Sequence, residues 1–123
     1  MNAIRWFEIY VNDMNRAKTF YETVFGYSLR KMESPMKELE MWGFPSDQNS
    51  YGSGGALCKM EGLTAGGAST IVYFASEDCA VEEKKIAAAG GSIMRPKFSI
   101  GTYGFISLGF DTEKNLIGIH SMK

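Results

Sequence analysis

The stretch RWFEIYV places an ionisable Glu8 inside an otherwise apolar segment, two residues after Trp6. In a strand of period two these side chains share a face with Ile4 and Tyr10, while Phe7, Ile9 and Val11 form the opposite, apolar face. A carboxylate walled by aromatic rings can serve as an acid or base, or bind a cationic group. The competing reading is a hydrogen-bonded structural carboxylate, or one paired with Arg5, Arg30 or Arg95. His120, the only histidine, could act as a general base or orient a ligand, because imidazole titrates near neutrality. A histidine that is merely hydrogen-bonded near a strand end is the plainer alternative. Cys58 could pair with His120 as thiol and imidazole, although small buried cysteines usually just pack.

The elements around these residues follow from turn and cap signals. Asp13 is placed to cap a helix in which Met14, Ala17, Phe20, Tyr21 and Val24 recur at three- and four-residue spacing, and Gly26 supplies the stop. That helix covers the Phe7, Ile9 and Val11 face, so Glu8 points away from the core beneath it. Three extended stretches follow, at roughly residues 27–33, 36–44 and 54–61, with the loop PSDQNSYGSGG before the last. After the linker GLTAGGAS the order starts again: a strand, an Asp78 cap, a helix and a Gly90-Gly91 stop. Asp13 and Asp78, Gly26 and Gly91, and Arg30 and Arg95 are each 65 residues apart, while IGIHSM overlies GALCKM at a spacing of 62. The first spacing matches Glu8 with Tyr73, and the second matches Cys58 with His120.

Aromatic residues supply a candidate binding surface. Trp42 and Phe44, and likewise Tyr103 and Phe105, alternate along extended stretches, so each pair lines one face, and a subset should wall an apolar pocket for a flat or cationic small molecule. The eight methionines would let such a wall adapt its shape.

Composition removes several classes of function. Of the 123 residues, 45% are hydrophobic and 22% charged, enough to bury a core. Thirteen basic and fourteen acidic residues leave a net charge of -1 with no basic block, which argues against nucleic acid as a partner. No apolar run reaches membrane-spanning length and no leader pattern opens the sequence, so a cytoplasmic protein with no membrane partner is expected. The two cysteines, Cys58 and Cys79, are expected to be reduced thiols. YGSGG and TAGGAS lack the context of phosphate-binding loops.

The segments WFEIYVNDMNRAKTFYETVFGY, GGALCKM and TIVYFASEDCAVEEKKIAAAGGSIMRPKFSIGTYGFISLGFDTEKNLIGIHSM resemble the vicinal oxygen chelate superfamily, the group of glyoxalase I, extradiol dioxygenases and bleomycin-resistance proteins. The resemblance covers essentially the whole chain. It implies an α+β fold of two βαβββ modules that form curled mixed sheets around a cleft, with module one at about residues 1–62 and module two at about 67–123 of a single domain. WFEI at the start and GIHS at the end resemble a branch of glyoxalase-like members whose substrates the resemblance does not specify.

In the metal-dependent members the ligand positions correspond here to Trp6, Ile71 and Gly118, none of which binds a metal. The fourth falls on Ala56 if the internal repeat sets the register, or on Cys58 if the first module slips by two residues. A single histidine cannot build a two-histidine, one-carboxylate site, so no cofactor is expected; a divalent metal is the alternative, which these ligand positions do not support. The resulting expectation is a metal-free protein, a homodimer, that sequesters a small organic ligand in an aromatic cleft. Trp6, Glu8, Trp42 and Cys58 would line that cleft from module one, and Tyr73, Tyr103, Phe105 and His120 from module two. The alternatives are a glyoxalase-like lyase or dioxygenase, or a metal-independent acid-base enzyme with Glu8 and His120 as catalytic groups.

Overall fold

A computed structural model describes residues 2–66 and 69–123; Gly67 and Ala68, in the linker GLTAGGAS, lie outside the described residues. The chain is built as β1 (Ile4–Tyr10), α1 (Met14–Phe25), β2 (Arg30–Met32), β3 (Leu39–Gly43) and β4 (Gly54–Met60). The same order returns in β5 (Thr70–Ala75), α2 (Cys79–Ala88), β6 (Ser92–Ser99), β7 (Phe105–Phe110) and β8 (Leu116–Ser121), with a 3₁₀ turn at Gly101–Tyr103. This is the α+β class with two βαβββ modules that the sequence predicts. Two compact units result, one of Trp6–Thr70 and one of Ile71–Lys123 together with the residues before Trp6.

In the first unit the strands run in the order β2-β3-β4-β1. β1 pairs parallel with β4, and the remaining neighbours pair antiparallel. Parallel pairing requires a crossover connection, and α1 supplies part of it. The side chain of Asp13 accepts a hydrogen bond from the Arg16 amide at 3.0 Å, and Gly26 ends the helix at φ 73°, a left-handed conformation that glycine adopts without steric cost. Val11, Met14, Leu29 and Leu57 form the core between helix and sheet, with Ile9, Ala17, Tyr21, Trp42 and Phe44 packed against them. The predicted phase of β1 is therefore correct: Ile9 and Val11 face the helix.

The second unit repeats the pattern as β5-β8-β7-β6, with β5 and β8 parallel. Asp78 caps α2 by accepting from the Ala80 amide at 3.0 Å. The two internal spacings emerge as one geometric statement. Glu8 lies opposite Ala56, and Tyr73, 65 residues on, lies opposite Gly118, 62 residues on; Tyr10 opposite Cys58 matches Ala75 opposite His120. Among the described residues no helix is long and apolar enough to cross a membrane.

Three details depart from the sequence reading. β2 is only three residues long. Tyr103 sits in the 3₁₀ turn, not on a strand, because Gly104 at φ 101° breaks the extended path before β7. Phe105 starts β7 opposite Ser121, whose hydroxyl accepts from the Cys79 amide of α2, so Phe105 lies on the helix side of its sheet.

The pairing of Tyr73 with Gly118 makes a stability prediction. A β-carbon added to Gly118 would stand 2.2 Å from Cδ1 of the Tyr73 ring. Since that ring is buried and its side chain cannot simply swing aside, Gly118→Ala should lower unfolding free energy by about 1–3 kcal/mol, as overpacking does. Urea unfolding measures this, and an unchanged midpoint would contradict the packing described.

Candidate functional site

The face of the first unit's sheet turned away from α1 is defined by strand register. Trp6, Glu8 and Tyr10 of β1 lie on it with Ala56, Cys58 and Met60 of β4. Leu39 and Met41 of β3 pair with Met60 and Cys58, and Met32 of β2 pairs with Met41, so all three share that face. Glu8 is at its centre, only 7% exposed. The indole Nε1 of Trp6 donates to one carboxylate oxygen at 3.2 Å, and the Tyr10 hydroxyl donates to the other at 2.9 Å. All three residues are neighbours at spacing two on one strand. A buried carboxylate costs several kcal/mol unless hydrogen-bonded, and the alternation of a β-strand delivers the two donors without any long-range contact.

Packing fixes the indole as well. Gly54 lies opposite Trp6, and a β-carbon there would be 3.1 Å from the ring's Cζ3, so the absence of a side chain makes room for the indole. Cys58 is fully buried opposite Tyr10. Burial first, and then the charge of Glu8, push both the Cys58 thiol and the Tyr10 hydroxyl far above their ordinary titration ranges. Both stay protonated and neutral at physiological pH. A neutral thiol lacks the charge that makes a thiolate nucleophilic.

Trp42 is elsewhere. It pairs with Leu57 and packs on the helix side of the sheet, where its Nε1 donates to Glu40 at 2.9 Å and the Lys18 ammonium sits 3.4 Å from its ring centroid. The register therefore separates Trp42 from Trp6, and Phe44 packs on the same core as Trp42.

In the second unit, Tyr73 is buried with its ring over Gly118. His120 lies opposite Ala75 and Ile106. Its Nε2 is 2.6 Å from the carbonyl oxygen of Tyr103. A carbonyl only accepts, so that nitrogen carries the proton, and in the neutral ring Nδ1 is the acceptor. Nδ1 is buried and has no partner among the described residues. Tyr103 thus contributes its backbone, while its side chain is largely exposed. Phe105 has the Lys97 ammonium 4.8 Å from its ring centroid.

Sequence reasoning missed one member of the site. Tyr10 stands two residues after Glu8 on the face already assigned, and the period-two spacing that brought Trp6 to notice applies equally to it.

The metal positions implied by the superfamily can be tested against the packing. Because Glu8 faces Ala56 as Tyr73 faces Gly118, the register places the open fourth position on Ala56 and not on Cys58. The four positions are then Trp6, Ala56, Ile71 and Gly118, and Gly118 lies beneath the Tyr73 ring. Among the described residues no group of three or more His, Cys, Asp or Glu is clustered to hold a metal ion. These residues do not fit the metal of the metal-dependent members.

Comparison with known proteins gives a consistent picture. Residues 4–41 match the family described as bleomycin resistance protein-like N-terminal. Proteins of Mycobacterium bovis and Mycobacterium tuberculosis, both provisionally named glyoxylase CFP32, are 25% identical over 130 residues, covering 93% of this chain. The chain spans only 43% of the length of those relatives. Among solved structures, a methylmalonyl-CoA epimerase in complex with methylmalonyl-CoA and NH4+ has a TM-score of 0.68 at 13% identity, over 98% of this chain and 94% of the other. A hypothetical protein of Bacillus halodurans C-125 has a TM-score of 0.72 at 9% identity, over 98% and 94%. The fold is that of the vicinal oxygen chelate superfamily, and the resemblance read from the sequence is upheld.

The two neutral groups beside Glu8 make stability depend on pH. Free Cys and Tyr titrate near 9.0 and 10.0, and folding raises both. The folded state therefore keeps protons that the unfolded chain releases, so the Cys58 contribution is full below about pH 9 and that of Tyr10 below about pH 10, and each falls by about 1.4 kcal/mol per pH unit above its own limit. Urea unfolding at pH 7 and pH 10.5 should show this loss, and Tyr10→Phe should reduce its slope. Equal stability at both pH values would contradict the burial of these groups beside Glu8.

Proposed function

We propose that the protein is a metal-free member of its superfamily that binds and sequesters a small organic ligand on the Trp6, Glu8 and Tyr10 face. One observation carries the reading. Where a metal-dependent relative places a first-strand ligand, this chain has Trp6, held by Gly54 behind it and by its hydrogen bond to Glu8. An indole fixed in this way offers a flat apolar surface with a carboxylate at its edge, a combination suited to binding and not to metal coordination. The partly exposed methionines Met32 and Met60 extend that surface with polarizable, adaptable side chains. The match over residues 4–41 to a family named for bleomycin resistance supports binding over catalysis as the role of this unit.

A second reading draws on His120. Its buried Nδ1 lone pair, with Nε2–H fixed by the Tyr103 carbonyl, is the arrangement of a proton acceptor whose tautomer is set. It favours metal-independent acid-base chemistry, and epimerases among the structural relatives show that the fold can support an isomerising enzyme.

A thermal-shift screen of small organic compounds separates these readings. Ligands should raise the melting temperature equally with and without EDTA, and Trp6→Ala should lose the shift, weakening binding by about 1–3 kcal/mol as for a buried aromatic anchor. Ligand shifts abolished by EDTA would contradict a metal-free site. Shifts that survive Trp6→Ala but vanish in His120→Gln would move the site to the second unit.

A further inference from the structure

The outer face of α1 is apolar where a helix surface turned to water is normally polar. Among the described residues eleven large hydrophobic side chains are exposed. Four of them, Phe20 at 56%, Val24 at 55%, Phe25 at 56% and Tyr27 at 42%, fall within one short run, while the other seven are spread over residues 51–122. That concentration marks a patch and not the single exposed side chains that any surface carries.

The rings of the patch are held in place. Phe20 stands edge-on to Tyr21 with centroids 5.1 Å apart, Tyr21 stacks on Phe25 at 6.2 Å, Phe25 stacks on Tyr27 at 5.5 Å, and Tyr27 meets Phe44 edge-on at 6.0 Å. Phe44 packs against the core, so the exposed rings are anchored to it and have little side-chain freedom left to lose when a partner covers them. Charge is scarce along the same run. From Thr19 to Ser28 the one charged residue is Glu22, and its carboxylate turns back to accept from the Leu29 amide at 2.9 Å. Aromatic side chains without charges among them are the composition of an interface core.

We infer that this face of α1 packs against the same face of a second copy of the chain, the two helices antiparallel about a two-fold axis near Phe20. Charge selects the partner and the direction. Arg16, Phe20 and Val24 are exposed at a spacing of four, so they form one row along the helix. A two-fold axis at Phe20 sets Arg16 of each copy against the last turn of the other, where free carbonyls carry partial negative charge and α1 has no basic residue of its own. Parallel helices would set Arg16 against Arg16. A lipid surface also takes exposed aromatic faces, but helices that lie on membranes line their polar side with Lys and Arg. Here Lys18 is drawn onto the Trp42 ring, which leaves Arg16 as the one other base on α1.

Area sets the strength. With about half of each side chain exposed, the four residues offer about 400 Å² per copy, and a two-fold contact through them buries about 800 Å², against the roughly 1,200 Å² at which stable interfaces begin. Arg16, Thr19 and Thr23 at the rim supply the difference, so the dimer is reversible, with micromolar affinity. It lies on the helix side of the sheet and is independent of the ligand reading.

Sedimentation equilibrium of the unmodified chain, from micromolar to submillimolar concentration, tests this directly. The mass should rise from one chain toward two, and over the same range the amide NMR signals of residues 16–27 should move while those of β5 to β8 stay still. Phe20→Glu brings two carboxylates together at the axis and should weaken association at least about thirtyfold, as loss of an anchor residue does. Arg16→Ala should weaken it about threefold to thirtyfold, since each dimer loses two such contacts. The mass of a single chain at every concentration would overturn the inference, and flotation of that monomer with phosphatidylcholine vesicles would give the face to lipid instead. Association that leaves the signals of residues 16–27 still would overturn it too, as would undiminished association of a folded Phe20→Glu protein. The mass and the NMR signals need no substitution, so they decide the matter even where Phe20→Glu fails to fold.

Discussion

A single buried carboxylate organises the first unit. Glu8 is removed from water in the middle of a sheet face, and such a group is tolerated only when its oxygens are hydrogen-bonded. Trp6 and Tyr10 meet that requirement from the same strand, which fixes the rotamer of the indole and the direction of the phenol, while Cys58, opposite Tyr10, is kept protonated first by its burial and then by the charge of Glu8. Each of those consequences shapes the face: a flat ring, a neutral hydroxyl, an inert thiol. Without the carboxylate the same strand would present unconnected aromatic side chains.

The second unit shows the same frame with the polar centre replaced. At the repeat position of Glu8 stands Tyr73, and where Ala56 lies opposite Glu8, Gly118 lies opposite Tyr73. The larger side chain needs the smaller partner, so the glycine is a packing necessity. Two copies of one βαβββ design have diverged here in opposite senses, one keeping a charge with neutral donors and the other filling the space with a ring.

How much of this was legible in the sequence depended on the range of the interaction. The caps Asp13 and Asp78, the stop at Gly26 and the phase of β1 are local, set by spacings of two to four residues, and they were read correctly. The repeat spacings of 65 and 62 foretold the strand register itself. Trp42 and Phe105 show what local pattern leaves out. Alternation says that residues two apart share a face, but not which face of the sheet receives the helix, and both rings fell on the helix side. Tyr103 was misplaced for another reason: the run SIGTYGF gives no alternating signal, and the turn is set by glycines 101 and 104. The His120 contact with the Tyr103 carbonyl crosses seventeen residues and depends on that turn, so no pattern of residue types announces it.

The central claim is that ligand is held against the Trp6 indole. It is tested most directly in Trp42→Phe, which leaves Trp6 as the only fluorescent tryptophan. A compound that raises the melting temperature should quench or shift Trp6 emission with a midpoint equal to its dissociation constant from calorimetry. Saturable binding by calorimetry with Trp6 emission unchanged throughout would place the ligand elsewhere and contradict the account.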